Sequence, residues 1–90
     1  MTLIKNNQIM DTKLQKFREL LGLNIRIART RKGLSQEELA ELADISTKHV
    51  TKIENAKVTP NIYFVNKIAQ VLDVTIDELV TEYKTGKKIK

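Results

Sequence analysis

Between Ser46 and Lys57 the chain sets out a run of short polar and cationic side chains: Ser46, Thr47, Lys48, His49, Thr51, Lys52, Asn55 and Lys57. Hydroxyl, amide and ammonium groups are what proteins use to reach the edges of nucleic-acid bases and the oxygens of phosphates. Catalysis asks for a different set. The chain has one histidine and no cysteine, so His49 has no companions for a metal site and thiolate chemistry is absent. Nor does the spacing offer a Ser/His/Asp arrangement, a glycine-rich phosphate loop or a carboxylate pair in a cleft. The inventory points away from an enzyme and calls for no cofactor or metal.

Charge narrows the reading by its placement. The net charge is +5, but it sits at the ends. Residues 1–20 hold Lys5, Lys13, Lys16 and Arg18 against Asp11 and Glu19, and residues 81–90 hold Lys84, Lys87, Lys88 and Lys90 against Glu82. Over residues 21–80 bases and acids cancel. Within that neutral stretch Lys48, Lys52 and Lys57 fall together, whereas Glu37, Glu38 and Glu41 fall together elsewhere. A surface polarised in this way can hold an anion on one side.

Ninety residues with 41% hydrophobic content are expected to form one small domain around a single core, without a second, ligand-sensing domain. The opening residues "MTLIKNNQIMDTK" lack the apolar run of a signal peptide, and no stretch approaches the roughly 18 apolar residues of a membrane span. With cysteine absent, the reducing cytoplasm is the expected location.

The elements that must position the polar run follow from spacing. Leu14, Phe17, Leu21, Ile25 and Ala28 recur three or four apart, which predicts helix over 12–32, with Asp11 or Thr12 as its N-cap. Gly22 costs a helix interior up to about 1 kcal/mol relative to Ala, so a break there and an unbroken helix are both compatible with the sequence. Gly33 is expected to end the helix in the left-handed conformation, with Arg29, Arg31 and Lys32 in the last turn. Ser35-Gln36-Glu37-Glu38 reads as a capping box opening a second, short helix whose buried face is Leu39, Ala40, Leu42 and Ala43. Asp44 marks a sharp turn, and Ser46 caps a third helix with Val50 and Ile53 inward.

Two short helices crossing through so tight a turn make a helix-turn-helix. The crossing leaves one face of the third helix protruding, narrow enough for a DNA major groove. Thr47, Lys48, His49, Thr51 and Lys52 are expected on that face. Thr59 then caps a fourth helix with Pro60 at its first helical position and Ile62, Val65, Ile68, Ala69 and Leu72 inward. Thr75 and Glu78 form a second capping box, opening a fifth helix whose Leu79 closes the core. Organisation follows: an extension over 1–20, partly helical; a DNA-binding domain over 21–80; and a basic tail over 81–90.

The sequence "IRIARTRKGLSQEELAELADISTKHVTKIENAKVTPNIYFVNKIAQVLDVTIDELV" resembles the Cro and lambda-repressor type, or Xre-like, helix-turn-helix family. The likeness runs through Ile25, Arg29, Gly33-Leu34-Ser35-Gln36, Leu39-Ala40, Ile45-Ser46, Val50, Ile53-Glu54-Asn55, Pro60, Ile68-Ala69, Leu72 and Glu78-Leu79. It implies an all-α, five-helix domain, to which this chain adds an N-terminal leader helix, and an ion pair between Arg29 and Glu54. The family's usual glycines are replaced by Asp44 and Ala56. A positive φ at Ala56 costs on the order of 1 kcal/mol; the alternative is that Asn55 takes it.

The expected function is a sequence-specific transcriptional regulator, of repressor type, binding double-stranded DNA as a homodimer. Thr47, Lys48, Thr51 and Lys52 would contact base edges, and Gln36, Ser46, His49, Asn55 and Lys57 the DNA backbone. An antitoxin or adaptor built on the same fold, with a toxin or co-regulator as partner, is the other reading. The dimer surface is expected at Phe64, Val71, Ile76, Val80 and Tyr83, apolar residues off the core stripes, with Leu14 and Phe17 of the leader as the competing surface.

Overall fold

The computed structural model describes residues 2–82, with side chains described from Thr12 onward. Five helices follow in order: α1 (Thr2–Arg31), α2 (Gln36–Ala43), α3 (Thr47–Glu54), α4 (Ile62–Leu72) and α5 (Ile76–Val80). Leader and first domain helix are one element. Neither Asp11 nor Thr12 caps it, because the helix is already under way at Thr2. Among the described residues, no helix is long and apolar enough to cross a membrane.

The core is one cluster, with Leu21, Ile25, Leu39, Val50, Ile53, Ile68 and Leu79 almost without solvent contact. Helix α1 packs against α3, α4 and α5, and α2 packs against α3 and α4. Two residues expected inward are exposed: Leu42 at 61% and Ile62 at 66%. On α2 the buried arc is shared by Leu39, Ala40 and Ala43, and at about 100° per residue Leu42 falls beside that arc. On α4 the core stripe begins one turn later, at Val65.

Gly22 explains why α1 does not break. It is buried where the helix crosses the end of α3, and a Cβ there would lie 2.7 Å from the carbonyl oxygens of both Ile53 and Glu54. The missing side chain admits a neighbouring backbone, and packing offsets the poor helix propensity. On the N-terminal side of this crossing, Gln15 Nε2 donates to the Ala56 carbonyl at 3.2 Å and Arg18 Nε to the Thr59 hydroxyl at 2.7 Å. On the other side, Asn24 Nδ2 donates to the Leu79 and Thr81 carbonyls at 2.9 and 3.1 Å, satisfying the end of α5.

Helices α1 to α4 end the same way. A residue of positive φ follows each: Gly33 (73°), Asp44 (57°), Ala56 (61°) and Asp73 (61°). The next amide in each case reaches back five residues: Leu34 to Arg29, Ile45 to Ala40, Lys57 to Lys52, Val74 to Ala69, at 2.9–3.1 Å. This is the Schellman ending, which satisfies carbonyls that the helix itself leaves unpaired. Ala56 carries the left-handed conformation, so Asn55 does not; its φ is −88°.

The capping boxes at Ser35 and Thr75 and the cap at Ser46 are present. The cap of α4 is not Thr59. Asn61 Oδ1 accepts the Phe64 amide at 3.0 Å, and α4 begins at Ile62, beyond Pro60. Asn caps at least as well as Thr, and the Thr59 hydroxyl is taken by Arg18.

Gly22→Ala is expected to destabilise the fold by about 1–3 kcal/mol through overpacking against α3, although Ala gains about 1 kcal/mol in helix propensity. Chemical denaturation checks it; a stabilised variant would mean the crossing can open.

Candidate nucleic-acid interface

Helix α3 presents an outward arc. Val50 and Ile53 are buried on one side of it, and Thr47, Lys48 and Lys52 are exposed on the other, with Thr51 half-buried at the margin. Lys48, Lys52 and Lys57 make no ion pair within the described residues. Ser46, Asn55 and Lys57 are exposed at the two ends of the helix. The Ser46 hydroxyl accepts the His49 amide at 3.0 Å, which leaves its own proton free to donate.

His49 does not belong to this face. It is half-buried, its Nε2 is sealed from solvent without a hydrogen-bond partner, and its ring lies 4.9 Å from that of Phe64. The expected backbone contact from His49 is therefore withdrawn. The helical wheel contains the signal: at about 100° per residue His49 falls beside Ile53, on the flank turned toward α4.

What aims the arc is a knot of polar groups behind it. Glu54, at the end of α3, is the buried charged residue among those described, its side chain 1% exposed. Arg29 of α1 grips it with two hydrogen bonds, Nε to Oε2 at 2.7 Å and Nη2 to Oε1 at 3.0 Å. Arg29 Nη1 also donates to the Leu34 carbonyl at 2.7 Å, between α1 and α2. Gln36, in the first turn of α2, donates from Nε2 to Glu54 Oε1 at 2.9 Å. Its carbonyl oxygen accepts from the Thr51 hydroxyl at 2.8 Å. Hydrogen bonding to Glu54 raises the Arg29 pKa above its ordinary value; burial pulls it back, and the Glu54 charge adds to the rise. The guanidinium stays charged at any working pH.

Gln36 and Thr51 are thus committed to each other before any ligand arrives. Gln36 keeps its second amide hydrogen, and Thr51 keeps the lone pairs of its hydroxyl oxygen. The Arg29–Glu54 pair was legible from the family likeness; the Gln36 bridge was not, because nothing in the spacing places α2's first turn over α3's last. The apolar residues named for a dimer surface are also partly spent. Val71, Ile76 and Val80 pack against the core, Phe64 lies between His49 and Tyr63, and Tyr83 lies outside the described residues.

The helix-turn-helix family model HTH_3 matches residues 25–79, which spans α2 and α3, the knot and all of the core cluster but Leu21. The chain belongs to the HTH_3 helix-turn-helix family. Over 64 residues it is 38% identical to the HTH-type transcriptional regulator SinR of Bacillus licheniformis, covering 70% of this chain and 58% of SinR. This HTH_3 chain therefore spans less than two thirds of that relative. It is also similar to the restriction-modification controller protein C.AhdI of Aeromonas hydrophila, with TM-score 0.67 and 34% identity over 69% of this chain and 94% of that one. A hypothetical transcription factor, NHTF from Neisseria, superposes with TM-score 0.77 and 28% identity over 86% of this chain and 88% of its own.

Removing either member of the Arg29–Glu54 pair is expected to cost about 3–5 kcal/mol, because the survivor is left as an unpaired buried charge. Arg29→Ala should be the worse of the two, since Glu54 is the more deeply buried partner. Arg29→Met with Glu54→Leu together should cost less than Arg29→Ala alone. Thermal melts of the three variants decide it; small additive losses would show that the pair does not hold the helices.

Proposed function

We propose that the chain is a sequence-specific DNA-binding transcriptional regulator, not an enzyme, that reads a palindromic operator as a homodimer with α3 in the major groove. The observation that carries this reading is the arc of exposed Thr47, Lys48 and Lys52 with half-buried Thr51 at its margin, aimed by the buried Glu54 knot behind it. The names of the relatives, transcriptional regulators and a restriction-modification controller protein, support it.

The division of labour follows from chemistry. Lys48 and Lys52 donate to acceptors such as guanine O6 and N7, while Thr47 and Thr51 offer hydroxyls and methyls to neighbouring base edges. Ser46, Asn55 and Lys57 grip phosphates on either side and set the register. Gln36 uses its remaining amide hydrogen on a phosphate at the start of α2, where the helix dipole favours an anion. Bound over a promoter, such a protein represses by occupancy. One α3 of two turns reads only a few base pairs, too few to find a site in a genome. Two copies on a two-fold axis read half-sites one helical turn apart.

Lys48→Ala and Lys52→Ala should each lose about 1–3 kcal/mol on the cognate site and relax preference at a single position. Lys57→Ala should weaken all sequences alike and lower the salt slope by about one. Selection from a random duplex pool, repeated for each variant, separates the two classes. Equal loss of selectivity in all three would overturn the assignment of base contacts.

A further inference from the structure

Arg18 is a cation held in place with most of its donors unused. It lies on α1 ahead of residues 25–79, the part of the chain that matches the family model. Its Nε donates to the Thr59 hydroxyl at 2.7 Å, and no carboxylate pairs with it among the described residues. Its terminal nitrogens, Nη1 and Nη2, have no partner among those residues either. The Thr59 hydroxyl accepts from Arg18 and so keeps its own proton to donate. A guanidinium fork and a hydroxyl thus stand side by side with hydrogens to give.

The segment after α3 turns this pair outward. Val58 packs against the core, and the residues on either side of it, Lys57 and Thr59, are exposed. Two residues of chain span at most about 7 Å, so Thr59 and its arginine stand beside Lys57. One turn back along α1, Gln15 donates to the Ala56 carbonyl at 3.2 Å. Two bonds a turn apart therefore lock the helix to the loop and hold the guanidinium where it is. The acid next to Arg18 in sequence is Glu19, which lines a shallow depression together with Gln15, Arg26 and Asn55. Arg26 and Glu19 balance there, so the depression neither adds to the cationic pair nor cancels it.

We infer that Arg18 and the Thr59 hydroxyl bind one further phosphate of the DNA backbone, adjacent to the phosphate gripped by Lys57. The inference rests on the DNA reading and extends its footprint to a part of α1 outside the family match. A guanidinium fork fits two oxygens of one phosphate, which an ammonium cannot do. Because Thr59 already orients Nε, little side-chain freedom is lost when the phosphate arrives. Such a contact carries no base information. It adds affinity and fixes register.

Binding of the full chain to duplexes over a series of salt concentrations tests the site. Arg18→Met should bind every duplex about threefold to tenfold more weakly, with the preferred sequence unchanged and the slope of log affinity against log salt shallower by about 0.9. Arg18→Gln, also neutral but polar, should give the same change in slope and decides the matter if Arg18→Met melts early. Arg18→Lys keeps the charge without the fork, so it should lose affinity at an unchanged slope. Thr59→Val should do likewise. If the Arg18–Thr59 bond only tied α1 to the loop, Arg18→Met and Thr59→Val would lose affinity alike and neither would move the slope, which would overturn the inference. Ethylation of single phosphates locates the contact. One phosphate, next to the phosphate whose ethylation no longer matters in Lys57→Ala, should interfere with wild type and not with Arg18→Met; identical interference patterns in the two proteins would refute the site. A wild type that selects no DNA sequence would refute the DNA reading itself, whereas selection with an Arg18→Met protein indistinguishable from wild type would remove only the Arg18 contact.

Discussion

A carboxylate shut away from water closes the end of α3, and the geometry of the domain is arranged around satisfying it. Burying an isolated ion costs several kcal/mol even after relaxation, repaid only if good hydrogen bonds surround it. Glu54 receives two from Arg29 and one from Gln36. Those donors come from α1 and α2, so one charge can be accommodated only when three helices stand in a single mutual arrangement. The pair contributes less to stability than to uniqueness: an apolar substitute could fill the space, but it would not fix the azimuth of α3 through Thr51 and Gln36.

Backbone geometry supplies what side chains do not. The approach of α1 to the end of α3 at Gly22 is too close for any Cβ, and it brings Arg29, two turns further along α1, to the height of Glu54. The left-handed residues that end α1 to α4 reverse the chain within a few residues and keep each turn from adding slack. Only Gly33 among them is a glycine. Asp44 and Asp73 tolerate the conformation better than most side chains, and at Ala56 a nearly buried methyl, 7% exposed, offsets part of the strain.

Local chemistry was readable in the sequence. The boxes at Ser35 and Thr75, the Ser46 cap and the turn at Asp44 each depend on a few adjacent residues, and each is where the spacing places it. Failures occurred wherever a distant partner decided. Thr59 lost its capping role to Asn61 because its hydroxyl serves Arg18, 41 residues away. At Gly22 a break and an unbroken helix stayed equally open, because propensity is local, whereas the carbonyls that require the glycine belong to α3. Of the residues proposed to meet DNA, those at the centre of the arc were legible from the wheel. His49 was misplaced by counting polarity ahead of angle, and the bridge from Gln36 to Thr51 depends on a crossing that periodicity does not encode.

The short turns bear on how quickly the domain assembles. From α2 to α5 each helix packs on another only a short distance away along the chain, so most of the closure entropy is small. The exceptions are the contacts of α1, which meets α3 and the loop after it through Gln15, Arg18 and Arg29 and meets α5 through Asn24, whose carbonyl partners are more than 50 residues away. A helical topology of this kind belongs to the microsecond-to-millisecond class of folders. Such a chain rebuilds the outward face of α3 soon after any transient opening.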